Sequence, residues 1–497
     1  MMLPCDIVSS LCSWTNTRAT HHFRDNPTSD PHRFIGRTWV NVTEDEMYVF
    51  LALQLLMGLN PLPSIADYWA HNILCQGPPV FTGPVMSRNR YMQILRFLRF
   101  SDPDGVRRGV PMTRLDAYFN KLREKCTMYL DPGENFAVDE ALLLFKGRIH
   151  FRQYIKTKRK RFGMKLFALC PSSPCTRGYT WNFCLYTPTL FDEMNQVGDL
   201  AMLNKSERVP VYLMGSLLDE GRHVVLDNWY SSLQLAEYLL RRNTLTTGTI
   251  RANRGVPENV TCQRLAKKQA VFARRDNVLV TKFNDRKVVH VMTTKYEGGF
   301  VEKTRHLRGG AVEMVKKPTV IQHYNELMGA VDVVDQLLEP YDPTRKSTAW
   351  FKKVGIHMVS RMVLNARVIY QILHQSPKSI SVVHFIKTLA HEILCECSIG
   401  YNVLVQMQKE SKPPKKNRRT SQPPQPLPHS NVAPQPLPQA NVAHALLPIP
   451  ATDKKKRPQR RCRVCSADGK TKWARKYCPA CKEQPALCSN EHFQAYH

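Results

Sequence analysis

At 497 residues the chain exceeds one ordinary hydrophobic core, since domains run to ~100–200 residues; two to four units are expected. Its 43% apolar and 9% aromatic residues are enough to bury real cores, and 71 Lys and Arg against 41 Asp and Glu leave a formal charge of +30. That field attracts polyanions and favours nucleic acid over a neutral small molecule as partner, although ribosomal and membrane-surface proteins carry the same balance.

Met1 to Trp14 holds no Lys or Arg and contains Asp6, so it lacks the charged start of a secretory signal. Thr43-Glu44-Asp45-Glu46 reads as a capping box opening a buried helix over 43–60. The apolar run inside it, Met47 to Leu59, is too short to span a bilayer, and no membrane span is expected. A second helix is expected over 87–100, with Tyr91, Ile94, Leu95 and Leu98 on one stripe and Arg88, Arg90, Arg96 and Arg99 largely elsewhere. Such a helix either lies on phosphates or simply exposes a basic face.

From Asn135 the pattern turns to strands: Phe136–Phe145, Lys165–Leu169, Trp181–Tyr186 and His223–Asp227. A helix follows with Ser231 or Ser232 as N-cap and Leu233, Ala236, Leu239 and Leu240 inward, then a strand over Leu245–Ile250. Past Arg251 the section is polar and basic, with a hairpin-like pair, Val278–Phe283 and Val288–Thr293, joined at Asn284-Asp285. A long helical stretch from Val320 to Leu338 turns Tyr324, Leu327, Val331, Val334 and Leu338 inward. Together these predict an α/β sheet interrupted by an insertion.

Composition breaks most sharply from Lys409 to Arg461, which holds 12 of the 34 prolines and a near-perfect ten-residue repeat, Pro424–Ala433 and then Pro434–Ala443. Proline fixes φ and removes an amide donor, so this is read as an extended linker. Clusters at Lys412–Arg419 and Lys454–Arg461 give it +10 of the total charge. They read as a nuclear-import signal or a DNA-tethering arm, or as a solvated charge run that keeps the linker extended.

Acidic residues are the minority, so those within apolar runs stand out. Asp139 lies inside a strand, Asp227 ends one at its carboxyl edge, and Asp332 and Asp335 sit at i and i+3 on one helix face. A buried carboxylate needs a cation, a hydrogen-bond cage or a metal. Carboxylates converging from two strands and a helix can hold two divalent ions about 3.5–4 Å apart for phosphoryl transfer, and oxygen ligands suit Mg²⁺ or Mn²⁺. Pairing of Asp139 with Arg148 and surface ion pairs at Asp332 or Asp335 are the plainer alternatives. Between the acids lies a basic run from Lys146 to Arg161, interleaved with Phe151 and Tyr154. It could track a phosphate backbone through Lys146, Arg148, Arg152, Lys158 and Lys160, or form a charged hairpin with aromatics facing the core.

Five of the fifteen cysteines fall in the last 36 residues. Cys462-x2-Cys465, Cys478-x2-Cys481, then Cys488, His492 and His497 give seven candidate zinc ligands. A two-zinc cross-brace wants eight, so either one closed site exists with spare ligands or a second borrows a carboxylate or water. Zinc there would be structural, serving a module that binds DNA or protein.

Several motifs resemble those of piggyBac-type transposases, in the same order: Phe136-Ala137-Val138-Asp139-Glu140, Phe145-Lys146-Gly147-Arg148, Phe162-Gly163-Met164-Lys165, Asp227-Asn228-Trp229-Tyr230-Ser231-Ser232, Gly248 to Arg254, and Tyr324-Asn325 through Gly329-Ala330-Val331-Asp332 to Asp335-Gln336. Trp39, Met57-Gly58-Leu59, Tyr68-Trp69 and Ser87 to Tyr91 fit upstream; Arg345-Lys346, Trp350 and Asn365-Ala366 fit downstream. The family usually has two glycines where this chain has Gly329-Ala330, and many relatives carry a long acidic segment before the region where this sequence starts.

The resemblance implies an RNase H-like catalytic core over 136–252 and 318–339, split by an insertion domain over 253–317. It also implies a helical dimerisation and DNA-binding region over 1–135 completed by 340–407, the Pro-rich basic linker over 408–461, and a zinc-binding domain over 462–497. It makes Asp139, Asp227 and Asp332 the catalytic carboxylates, with Asp335 accessory, and adds Arg88, Arg90, Arg251 and Arg254 to the expected DNA contacts. The implied activity is metal-dependent cutting and joining of double-stranded DNA, at transposon ends and TTAA sites, by a nuclear homodimer. The alternatives are a domesticated DNA- or chromatin-binding protein without cutting activity, and a structure-specific nuclease.

Overall fold

The computed structural model describes residues 4–26, 39–70, 77–156, 161–306, 312–375, 380–410, 446–450, 458–468, 471–478, 481 and 483–496. It divides into two units, Met1–Pro413 and Pro414–His497. No helix among the described residues is long and apolar enough to cross a membrane.

The first unit opens with four helices, α1 (Cys5–Asp25), α2 (Glu44–Leu59), α3 (Arg88–Phe97) and α4 (Asp116–Met128). Helix α2 starts where expected: Thr43 Oγ1 accepts from the Glu46 amide at 3.2 Å. Glu46 does not close the box. Its carboxylate instead takes both Arg90 donors at 2.6 Å each, a bidentate clamp between α2 and α3. Ser87 caps α3, its hydroxyl accepting from the Arg90 amide.

Strands β1 (Asn135–Leu144), β2 (Gln153–Tyr154), β3 (Phe162–Pro171) and β4 (Asn182–Leu185) follow, then helices α5 (Leu190–Asn195) and α6 (Lys205–Met214), strand β5 (His223–Leu226), helix α7 (Leu233–Arg241) and strand β6 (Leu245–Thr249). Beyond a short α8 (Glu258–Thr261) come β7 (Ala270–Arg275), β8 (Val278–Asn284), β9 (Val288–Thr293), β10 (Phe300–His306) and β11 (Val312–Pro318). The sheet has nine strands in the order β2-β3-β1-β5-β6-β9-β8-β7, with β4 on β3. Strands β1, β5 and β6 run parallel, whereas β3 is antiparallel to β1. The segment expected as a separate insertion is divided: β7 to β9 continue the central sheet through antiparallel pairing of β9 with β6, and only β10 and β11 form a ribbon of their own.

The helical stretch over 320–338 is two helices, α9 (Thr319–Leu327) and α10 (Ala330–Leu338). They part at Gly329, whose ψ of 8° leaves the helical range; glycine favours such a break because it gains least from a helical backbone. Helices α11 (Trp350–Leu373), α12 (Val382–Cys397) and α13 (Ile399–Glu410) complete the unit. Helix α12 packs on α2, and one apolar core joins Ile7 and Leu11, Phe50 and Leu53, Val354 and Met358, and Ile386 and Ala390. The regions before and after the sheet therefore share one hydrophobic core.

The second unit is built from β12 (Leu447–Pro448), β13 (Arg460–Arg461), α14 (Arg463–Ala467), β14 (Trp473–Ala474), β15 (Lys476–Tyr477), β16 (Ala486–Leu487) and α15 (Asn490–Tyr496). The expectation that 408–461 is an extended linker throughout needs correction at its C-terminal end. Strand β12 pairs with β15, β13 pairs with β14, and Ile449 is buried against Cys462, Cys465 and Leu487. Burying Ile449 and pairing these short strands gives a unit this small more core than the cysteine region alone supplies. The repeat and both basic clusters, save Arg460 and Arg461, lie outside the described residues.

Candidate functional site

Side chains alternate along a strand, so the neighbours of Asp139 define its face. Phe136 and Val138 join a core with Phe167, Val224 and Leu226. Ala137, Ala141 and Leu143 join the other core, with Ala330, Val331, Val334 and Leu338. Asp139 thus belongs to the face that α10 covers. The parallel register pairs Val138 with Leu226, and one step on, Asp139 and Asp227 stand side by side on that face.

Asp227 is held from several sides. Its Oδ1 accepts from the Asn228 amide and from Thr249 Oγ1 at 3.4 Å, and Ser231 Oγ donates to its carbonyl at 3.0 Å. Thr249 Oγ1 lies 3.4 Å from the phenol oxygen of Tyr324 on α9. Burial pushes the Tyr324 phenol up to about 12, with Asp227 and Asp139 adding to the rise against the Thr249 hydrogen bond. Tyr324 therefore lies within electrostatic reach of both carboxylates. Gly248 is required here: a Cβ would collide with Ser231 Oγ and the Leu226 carbonyl.

Asp332 is exposed in the first turn of α10, where the helix dipole favours a carboxylate. It lines a cavity of about 210 Å³ with Asp335, Ala141 to Leu144 of β1, Lys353 and His357. Asp335 has a different setting from Asp332. Its Oδ1 accepts from Arg361 at 2.8 Å, and Arg361 is fully buried on α11. Arg361 also donates to His357 Nε2 at 3.0 Å and to Thr180 Oγ1 at 3.2 Å. Tyr324 and Thr249 lie in motifs that carry the resemblance but have no site role assigned from sequence, and Arg361 lies in none of them. For Arg361 the available signal is a lone arginine within the apolar run Met358 to Leu364.

The donor set of Asp139, Asp227 and Asp332 is all oxygen, which fits Mg²⁺ or Mn²⁺. Among the described residues only the C-terminal cysteine cluster gathers three or more such ligand atoms within 4.8 Å of one another.

The expected DNA contacts divide by environment. Arg88, Lys146 and Arg148 are exposed. Arg152 is exposed too, donating to the Lys146 and Gly147 carbonyls at 3.1 and 3.3 Å. Arg251 is exposed and donates to Asn228 Oδ1 at 3.2 Å, next to Asp227. Arg90 is committed to Glu46 and lies 4.7 Å above the Trp39 ring. Arg254 pairs at 3.7 Å with the fully buried Glu207. Phe151 is buried edge-on to Trp350, whereas Tyr154 is exposed against Phe162. Lys158 and Lys160 lie outside the described residues.

In the second unit Cys462, Cys465, Cys488 and His492 bring four ligand atoms within 4.8 Å of one another. His492 Nδ1 is 3.5, 3.4 and 3.1 Å from the Cys462, Cys465 and Cys488 sulfurs. Burial opposes ionisation of Cys462, but hydrogen bonds from the Cys465 and Cys488 backbone and from His492 bring its thiol down to about 6. A thiolate-prone Cys₃His set of this kind suits tetrahedral zinc. Cys478 and Cys481 form a separate pair at 3.8 Å, and His497 lies outside the described residues.

A family model described as Transposase IS4 matches residues 1–367. PiggyBac transposable element-derived protein 3 of Homo sapiens is 23% identical over 382 residues, 71% of this chain and 60% of that protein. The chain belongs to the piggyBac-type transposase family. PiggyBac transposable element-derived protein 2 of Homo sapiens is 20% identical over 365 residues, 70% of this chain and 59% of the relative. The chain therefore spans about three-fifths of these relatives. The cryo-EM structure of a piggyBac transposase synaptic complex with hairpin DNA superposes with a TM-score of 0.65 at 22% identity, covering 83% of this chain and 80% of that one. This piggyBac-type chain thus shares the mixed α/β fold of that transposase.

Proposed function

We propose that this chain is a metal-dependent DNA transposase that cuts transposon ends and inserts them at TTAA sites, with Asp139, Asp227 and Asp332 as its catalytic carboxylates. The observation that carries the reading is the pairing of Asp139 and Asp227 on one sheet face, with Asp332 on the helix covering that face. The order β4-β3-β1-β5-β6, with β1, β5 and β6 parallel, supports an RNase H-like core. Double-stranded DNA as partner is supported by the +30 charge and by the hairpin DNA in the structural relative. Action as a homodimer in the nucleus, and the TTAA target, rest on the sequence resemblance.

Mg²⁺ or Mn²⁺ held by Asp139, Asp227 and Asp332 would supply Lewis-acid activation of the attacking oxygen and charge compensation at the leaving oxygen. The chain's own residues orient that chemistry. The Asn228 amide and Thr249 hydroxyl fix one oxygen of Asp227, Tyr324 meets that hydroxyl within electrostatic reach of both strand carboxylates, and Arg251 offers a phosphate-binding cation beside them. Arg361 fixes Asp335, which makes Asp335 a positioning residue for α10. Zinc on Cys462, Cys465, Cys488 and His492 has a structural role.

A second reading, a domesticated DNA- or chromatin-binding protein without cutting activity, is favoured by one observation: the relatives are named as transposable element-derived proteins. Excision of a TTAA-flanked donor carrying the cognate transposon end sequences, measured in cells, separates the two. Excision that disappears with Asp227→Asn supports the transposase; no excision with correct ends supports the second reading.

A further inference from the structure

An edge strand of the second unit has an uncommon sequence for a strand. Strand β12 and its neighbours read Leu446-Leu447-Pro448-Ile449-Pro450, and β12 lies at the edge of the sheet β12-β15-β16. Leu447 stands opposite Tyr477 and Pro448 opposite Lys476. Proline has no amide hydrogen, which suits Pro448 to a sheet edge. Ile449 supplies the one N–H of the triplet Pro448-Ile449-Pro450, and that N–H donates to the Arg475 carbonyl at 2.9 Å. The Ile449 side chain is the anchor, buried among Cys462, Cys465, Ala474 and Leu487. Leu447, Pro448 and Pro450 are exposed.

Holding this segment takes an extended backbone, one amide donor and one aliphatic side chain beside it. The prolines supply the first, since each fixes its own φ and turns the residue before it to extended conformations. Strand addition to a sheet edge, with backbone hydrogen bonds for affinity and a pocket for selectivity, is a general mode of peptide recognition.

The same features occur twice more in this chain. The ten-residue repeat holds Pro426-Leu427-Pro428 and Pro436-Leu437-Pro438, each with one N–H and one aliphatic side chain between prolines. Leucine for isoleucine conserves volume, an exchange that cores tolerate. Gln425 and Gln435 fall in the place of Leu447, a position that faces solvent. The sequence between α13 and the groove runs up to Leu446, and the two leucines stand 22 and 12 residues before Ile449. Loop-closure entropy rises only slowly with length, so either triplet can reach the β15 edge.

We propose that the β15 edge and the Ile449 pocket form a docking groove for Pro-aliphatic-Pro segments, in which the two Pro-Leu-Pro triplets of the chain's own linker exchange with Pro448–Pro450. Docking of Leu427 in place of Ile449 takes 22 residues out of the tether between the two units, so the groove sets the tether's length. The assignment concerns the second unit alone and stands or falls independently of DNA cutting.

The test follows amide hydrogen exchange over residues 473–478 in the zinc-loaded full chain. Ile449→Asp removes the resident anchor, and Ile449→Asp/Leu427→Asp/Leu437→Asp removes all three. The single variant is expected to keep most of the wild-type protection at every protein concentration. The triple variant is expected to lose about tenfold or more, the worth of one buried aliphatic side chain. A synthetic peptide with the sequence of residues 424–433 should restore protection to the triple variant, and the same peptide carrying Leu427→Asp should not. A single variant as poorly protected as the triple overturns the proposal, as does a triple variant protected like the wild type. Protection of the single variant that rises with protein concentration assigns the groove to a second copy and also overturns it. Leu446→Pro/Leu447→Gln/Ile449→Leu writes the repeat into the resident position and decides the matter should the triple variant fail to fold: wild-type protection is expected, and a tenfold loss overturns the proposal.

Discussion

Asp332 and Asp335 sit three residues apart on α10, and the structure predicts opposite consequences for removing their charges. Asp335 is 33% exposed but accepts from Arg361, whose side chain is fully buried and has Asp335 as its only ion-pair partner among the described residues. Asp335→Asn leaves that guanidinium without a counter-charge, and breaking a buried pair from one side costs about 3–5 kcal/mol. Asparagine keeps an oxygen for the hydrogen bond, so the lower end, about 3 kcal/mol, is expected, which is more than a hundredfold in the folding equilibrium. Asp332 is exposed in the first turn of its helix, where helix-dipole and solvent-screened surface interactions of a carboxylate are each worth only up to about 1 kcal/mol. Asp332→Asn should therefore fold almost normally. Urea unfolding followed by tryptophan fluorescence reads this directly, since six of the seven tryptophans precede residue 400. Equal stability of the two variants would refute the assignment of Asp335 to the fold.

Tyr324→Phe should slow strand cleavage about three- to tenfold at saturating DNA, the worth of one hydrogen bond, without changing DNA affinity; an unchanged single-turnover rate would remove Tyr324 from the site. Cys465→Ser should lose the zinc measured by elemental analysis and with it the structure of the C-terminal unit, because metal binding and folding are coupled there; wild-type zinc content would contradict the Cys₃His assignment. Buried His223 has its pKa lowered to about 3, by burial first and then by Lys295 and His323. A group whose folded pKa lies below its unfolded value of about 6.5 stabilises fully above that pH and loses its contribution as pH falls towards 3. Between pH 7 and 5 it should account for about 2 kcal/mol of lost stability, and His223→Asn should flatten that part of the urea midpoint profile; an unaltered profile would contradict it.

Local chemistry made some elements legible. Thr43 and Ser87 mark helix starts because a hydroxyl can accept the amide three residues on. The strand carrying Asp139 shows as an apolar run interrupted by one acid. Long helices α1 and α11 leave only a faint period in the sequence: in α1 the buried positions are diluted by exposed polar ones, and α11 is buried over much of its surface. Pairing between distant segments is absent from local pattern, so the addition of β7 to β9 to the central sheet had to come from the structure. The same limit governs the zinc ligands. Spacing pairs Cys462 with Cys465 and Cys478 with Cys481, but only folding shows that Cys488 and His492 join the first pair. Arginines look alike in sequence: Arg90 and Arg254 read as DNA contacts until Glu46 and Glu207 are seen against them.

The central claim, that Asp139, Asp227 and Asp332 form one catalytic site, is tested most directly by strand cleavage of a cognate transposon end by purified full-length protein. Activity is measured with Mg²⁺, with Mn²⁺ and with chelator, for the wild type and for Asp139→Asn, Asp227→Asn and Asp332→Asn. The account predicts cleavage that requires the divalent ion and vanishes in each variant while DNA affinity is retained. Wild-type cleavage by any one of the three variants would contradict it.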